Sequence, residues 1–297
     1  MRRLLAVAAC LALVACSTPE DQPASPAPGT PTTSTVVTSS PAPEPPQPEP
    51  PESEPPESEP PGPAYSTWPL GRRVLPLRAD GFGEVRPTPP TLRDRRYPTT
   101  DLLPPPRGER WRSRIGPVTP AIARRLTWTS SCPVALADLR HVTVSFRGYD
   151  GAAHTGELVV AATEADAVAS VFRALYAADF PIEEMRIPEP AELDLPPTGD
   201  GNNTAAYVCR PTTGQSSGFS AHAYGLAIDV NPFVNPYEKG DLVLPELASS
   251  YLDRARERPG MVLRDGLVVR EFARIGWSWG GDFQSLKDYQ HFTATGR

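Results

Sequence analysis

Proline decides where this chain can fold. Of 297 residues, 39 are prolines, most of them in the first third. From Ser17 to about Pro63 they alternate with Ser, Thr and Glu, and a PPESE unit is duplicated near residues 50–59. Proline fixes φ and has no amide to donate, so such a stretch supports neither helix nor sheet. It also lacks the apolar residues needed to offset chain entropy, and reads as a disordered, extended tether over 16–63. At ~3.1 Å per residue, that tether reaches on the order of 100 Å. Any packed domain must follow it.

Ahead of the tether, Arg2 and Arg3 precede an apolar run, Leu4 to Val14, too short to span a bilayer as a mature helix. The run closes on Leu13-Val14-Ala15-Cys16, which resembles the lipobox of a bacterial lipoprotein. The resemblance implies a signal peptide over 1–15, lipid on Cys16 and a location on the outer face of the cell membrane. The plainer reading is a secretory signal in which Cys16 is incidental. Cys10 leaves with the signal, so the mature domain keeps Cys132 and Cys209. Export favours a disulfide between them over two free or metal-bound thiols, which lack local ligand spacing. A net charge of −6 gives no electrostatic case for binding nucleic acid.

Residues 64–125 mix aromatic and apolar side chains with Pro and Arg, and read as an irregular extension wrapping the domain. Regular patterning begins near residue 126. Val142, Val144 and Phe146 alternate with polar residues, Gly148 to Gly156 breaks the chain, and Glu157 to Ala161 resumes apolar, which predicts a hairpin. Thr163 as N-cap, with Asp166 three residues on, opens a helix whose apolar face holds Val168, Val171, Phe172 and Leu175. A short strand is predicted over Glu184 to Ile187, and helices over Pro245 to about Arg258 and Leu267 to Ile275. These elements predict an α+β domain over 126–297, an antiparallel sheet with helices packed on one side.

The chain holds four histidines, and His222 stands among small residues in Ser220-Ala-His222-Ala-Tyr-Gly225-Leu-Ala-Ile-Asp229. Asp229 interrupts an apolar alternation, which is costly unless the acid is paired or binds a cation. Gly225 permits the bend that returns His222 towards it. A second stretch runs Trp277-Ser-Trp279-Gly-Gly-Asp282, then Asp288-Tyr-Gln-His291. His222, Asp229 and His291 would make a three-ligand zinc site with an open fourth position for water, and Asp288 would be its base. His141 and His154 read as histidines satisfied within the fold.

Ser-x-His-x-x-Gly-x-Ala-x-Asp followed by Asp-x-x-His resembles the M15 family of zinc peptidases. That family includes D-alanyl-D-alanine carboxypeptidases of the VanY type and L-alanyl-D-glutamate endopeptidases. The resemblance covers about residues 125–297. It implies zinc on His222, Asp229 and His291, Asp288 as general base and Arg210 as stabiliser of the oxyanion. It implies a peptidoglycan stem peptide as substrate; a monomer is the expected state. Ser220 either binds substrate or orients the His222 loop, and Trp279 either floors a substrate groove or fills the core. A zinc-stabilised wall-binding module without catalysis is the rival reading.

Overall fold

The structure is a computed structural model that describes residues 64–215 and 217–296. The signal-like run, Cys16 and the tether lie outside the described residues. Elements in chain order are β1 (Ser113–Pro117), α1 (Pro120–Ala123), β2 (Leu139–Arg147), β3 (Ala153–Ala161), α2 (Ala165–Ala177), β4 (Glu184–Met185) and β5 (Asn203–Thr204). They continue with β6 (Ala227–Asp229), β7 (Tyr237–Lys239), β8 (Leu242–Leu244), α3 (Leu267–Arg274), β9 (Ser278–Trp279), β10 (Lys287–Asp288) and β11 (His291–Thr293).

The class is α+β, as the sequence predicts, but the single expected sheet is divided. Among the described residues there are three-stranded antiparallel sheets in the orders β1-β2-β3, β10-β7-β8 and β6-β11-β9, and a parallel pair of β4 with β5. The β2–β3 hairpin is longer than its alternating core residues suggest, because Gly156 continues β3 where a side chain would collide with Met185. Helix α2 lays Val168, Val171, Phe172 and Leu175 on the apolar face of β2 and β3.

A row of aromatic rings carries this core to the site. Phe172 of α2 meets Phe272 of α3 edge-on at 6.5 Å, and Phe272 stacks on Phe292 of β11 at 4.1 Å. Alternation along the strands then decides the rest. On β11, Phe292 is wholly buried in the core while His291 belongs to the opposite face; on β6, Ile228 and Asp229 divide in the same way.

Three local expectations are corrected. The helix expected from Pro245 to Arg258 is one 3₁₀ turn, Ser249–Tyr251. Guanidinium groups take the carbonyls that a helical ladder would use: Arg254 donates to Tyr251 O and Arg258 to Ser250 O. The N-cap of α2 is Glu164, not Thr163. The Thr163 hydroxyl donates to the Glu164 carboxylate instead of accepting from the helix, and the other Glu164 oxygen accepts from the Trp277 indole. The strand expected over Glu184 to Ile187 is the two-residue β4, since its partner β5 is itself two residues long.

Residues 64–125 are more regular than expected towards their end: β1 pairs along its whole length with β2, and α1 is one helical turn capped by Thr119. Elsewhere they pack as irregular chain. Leu75 and Leu92 join Phe233, Leu247, Tyr251 and Met261 in a second apolar cluster. Arg95 is buried and donates to both oxygens of Glu183 at 2.7 and 2.6 Å, and Asn202 donates to the same carboxylate. Breaking such a buried pair by removing one partner costs about 3–5 kcal/mol.

Candidate metal centre

His222 is carried by a 3₁₀ turn, Ala221–Tyr224. The Ser220 hydroxyl accepts from the His222 amide at 3.4 Å and opens the turn; Gly225 closes it with a left-handed φ of 67°. A Cβ at Gly225 would lie 2.5 Å from the Ala161 amide, so glycine is required twice over. His222 Nδ1 lies 2.6 Å from the Ala206 carbonyl oxygen, a bond it makes as donor. This fixes the tautomer and leaves the Nε2 lone pair free.

Nε2 of His222 points at a small meeting place. It is 3.3 Å from His291 Nδ1 and 3.2 Å from Asp229 Oδ2, while Asp229 Oδ1 is 2.9 Å from His291 Nδ1. Direct cross-strand pairing of His291 with Asp229 on β11 and β6 sets that approach. One donor atom from each residue lies within 4.8 Å of the others, so the three form a group able to hold a metal ion. Burial works to raise the Asp229 pKa, but the facing His222 and His291 hold it well below the usual carboxylate range. Two imidazoles and a carboxylate are a donor set that suits zinc.

Asp288 flanks the group. It lies on β10, directly across from Tyr237 of β7. Its Oδ1 is buried and has no hydrogen-bond partner among the described residues. Burial pushes its carboxyl up to about 7; His291 pulls against this, Asp229 adds to it and Arg210 pulls it down. A buried acid with an open oxygen and a pKa near neutrality is suited to proton transfer.

Gly280 permits this crowding, and the sequence reading missed its part. A Cβ there would stand 2.5 Å from the Asp288 carbonyl oxygen, 2.8 Å from the Asp288 Cβ and 3.2 Å from the His291 Cβ. The Trp-Gly-Gly-Asp stretch was visible, but only the packed chain shows what the first glycine lies against. The Ala206 carbonyl leaves no signal at all, because any residue supplies one.

His222, Asp229, His291, Asp288, Arg210 and Ser220 all line one cavity of about 1160 Å³. Arg210 follows Cys209, which forms a disulfide with Cys132, and donates to Pro211 O and Thr213 Oγ1 at 3.1 Å each. Its guanidinium is in no ion pair among the described residues. Ser220 caps the turn that carries His222, which is the orienting alternative of its two expected roles. Trp279 takes the core alternative of its two expected places: it is buried, its indole donates to the Tyr289 carbonyl, and it is not among the residues lining this cavity. Asp282 reaches the cavity edge and pairs with Arg264. His141 bonds Glu157 at 2.9 Å, and His154 lies between Asp101 and Asp150.

Fold and site together define an α+β domain in which a His–Asp–His group and a buried acid share one large cavity. A family model described as D-alanyl-D-alanine carboxypeptidase matches residues 213–294, the stretch holding His222, Asp229, Asp288 and His291. Residues 213–294 are thus similar to the M15 peptidases, a family of hydrolases. Arg210 and both cysteines fall outside the match. No curated protein and no solved structure matches the chain.

Proposed function

We propose that this chain is a zinc-dependent peptidase that hydrolyses peptide bonds of peptidoglycan stem peptides, as a D-Ala-D-Ala carboxypeptidase or an L-Ala-D-Glu endopeptidase. The observation that carries the reading is the unpartnered, buried Asp288 oxygen beside three converging ligand atoms. A metal site that served stability alone has no use for such an acid. Held by His222, Asp229 and His291, zinc would supply a Lewis acid and lower the pKa of a bound water.

The protein's own groups account for the remaining work. Asp229 and the Ala206 carbonyl hold the two imidazoles in orientation. Asp288 accepts a proton from the attacking water through Oδ1 and delivers it to the leaving amine. Arg210 brings positive charge to the same cavity, where the scissile carbonyl oxygen becomes negative. Fixed charge aimed at a developing oxyanion contributes several kcal/mol in a site of this kind. The disulfide at Cys209 restrains the backbone beside Arg210, so Arg210→Lys is expected to lower kcat more than metal content.

Digestion of muropeptides by the purified domain, followed by mass spectrometry, tests the reading and separates the two bonds. Loss of a terminal alanine marks the carboxypeptidase; release of the stem from its first alanine marks the endopeptidase. Wall binding without hydrolysis in the parent, unaltered by Asp288→Ala, would leave a binding module in place of an enzyme. We further propose that Cys16 carries a lipid and holds the domain at the outer face of the membrane, on the strength of the Leu13 to Cys16 sequence. Labelling with a palmitate analogue, lost in Cys16→Ala, checks this.

A further inference from the structure

The cavity extends well beyond the metal group, and one part of its wall is braced by chain that precedes the family match. Gly199 and Glu246 line that wall. Both are gripped from outside by the N-terminal strap. The Gly83 amide donates to Glu246 Oε1 at 2.8 Å in a buried bond, and the Arg86 amide donates to the Glu246 carbonyl at 3.1 Å. Leu75 bonds Pro197 at 2.8 Å and packs its side chain against Gly199.

Glu246 is only 5% exposed, yet no basic side chain pairs with it among the described residues. One carboxylate oxygen is committed to the Gly83 amide; the other has no hydrogen bond among the described residues. Four acids line the cavity, Asp229, Glu246, Asp282 and Asp288, against Arg210 as its one Lys or Arg. Three of the four have assignments: Asp229 with the histidines, Asp288 as the base, and Asp282 with Arg264. A buried carboxylate left without a cation is costly, so Glu246 needs one from elsewhere. A single presented oxygen suits the point charge of an ammonium; a guanidinium prefers both oxygens of a carboxylate.

We propose that Glu246, positioned by Gly83 of the N-terminal strap, forms a subsite for a primary ammonium group of the substrate peptide. The proposal rests on the peptidase reading for what enters the cavity, and it gives residues 64–125 a part in selecting substrate. The strap sets the depth and aim of the carboxylate. A Cβ on Gly83 would fall 2.7 Å from Glu246 Oε1 and 3.1 Å from its carboxyl carbon, so Gly83→Ala displaces the acid without altering any lining residue.

The test uses two probes, the peptide N-acetyl-L-alanyl-γ-D-glutamyl-L-lysyl-D-alanyl-D-alanine, which holds both candidate bonds, and the same peptide acetylated on the lysine Nε. Equilibrium binding to the parent protein is expected to favour the free ammonium by about tenfold or more. Glu246→Gln keeps an acceptor for the Gly83 amide and is expected to bring that ratio near one with unchanged thermal unfolding. Gly83→Ala is expected to reduce the ratio. Equal binding of both peptides by the parent, or a ratio that survives Glu246→Gln, overturns the subsite. A parent that discriminates but cleaves neither peptide keeps the subsite and refutes the peptidase reading.

Discussion

Two clusters of histidine and aspartate lie in this domain, and they do opposite things. In the first, His154 is held between Asp101 at Nδ1 and Asp150 at Nε2, 2.9 and 3.1 Å away. Each ring nitrogen has its own carboxylate on its own side, and neither turns towards a shared centre. In the second, His222 spends one nitrogen on the Ala206 carbonyl and turns the other towards His291 and Asp229. Here the donors converge, and Asp288 beside them keeps an unpaired oxygen. Residue type does not separate structure from chemistry in these clusters. What separates them is whether every polar atom has been satisfied by the fold itself.

Asp288→Asn gives the largest contrast. It is expected to lower kcat by about 10²–10⁴-fold, the range for loss of a general base, with metal content retained. Asp101→Asn, the counterpart change in the satisfied cluster, should leave kcat within about twofold, because nothing there reaches the cavity. Gly280→Ala comes next. Its Cβ would force Asp288 and His291 apart, at a cost of about 1–3 kcal/mol, the scale of an overpacked core, and with weakened metal retention. Chemical denaturation and competition with a chelator measure the two effects.

His154→Leu should cost about 1–2 kcal/mol of stability, discounted for the partly exposed Asp101, and change neither metal content nor hydrolysis. A further effect is a matter of pH. The Asp288 carboxyl stands at about 7 in the metal-free fold, against 3.8 ordinarily. Between those values the native state binds more protons than the unfolded chain, so metal-free stability should fall as pH rises from about 4 to about 7. Asp229 has the opposite sign: its lowered pKa gives stability that is lost as pH falls below about 4. Urea unfolding across this range, repeated on Asp288→Asn, should flatten the upper slope alone.

The contrast also explains what could be read in advance. His222, Asp229, Asp288 and His291 were legible because rare histidines and misplaced acids stand out against their surroundings, and short spacings encode the turn and strand that carry them. The hairpin and helix α2 were legible from alternation and period. Residues 245–258 were misread, because helical spacing in sequence does not reveal that Arg254 and Arg258 will fold back onto the chain's own carbonyls. Trp279 was ambiguous for a related reason, since an indole beside a site motif and an indole in the core look alike until its N–H partner is known. Glu246 gave no signal, because its importance comes from Gly83, 163 residues earlier. Long-range polar contacts of that kind leave no local pattern.

The account stands on convergence of His222, Asp229 and His291 on one metal ion. Metal analysis of the purified, described domain beside its His222→Ala variant tests this most directly. About one zinc per chain in the parent and almost none in the variant is the predicted result. A parent without tightly held metal, or a variant that binds as much as the parent, would contradict it.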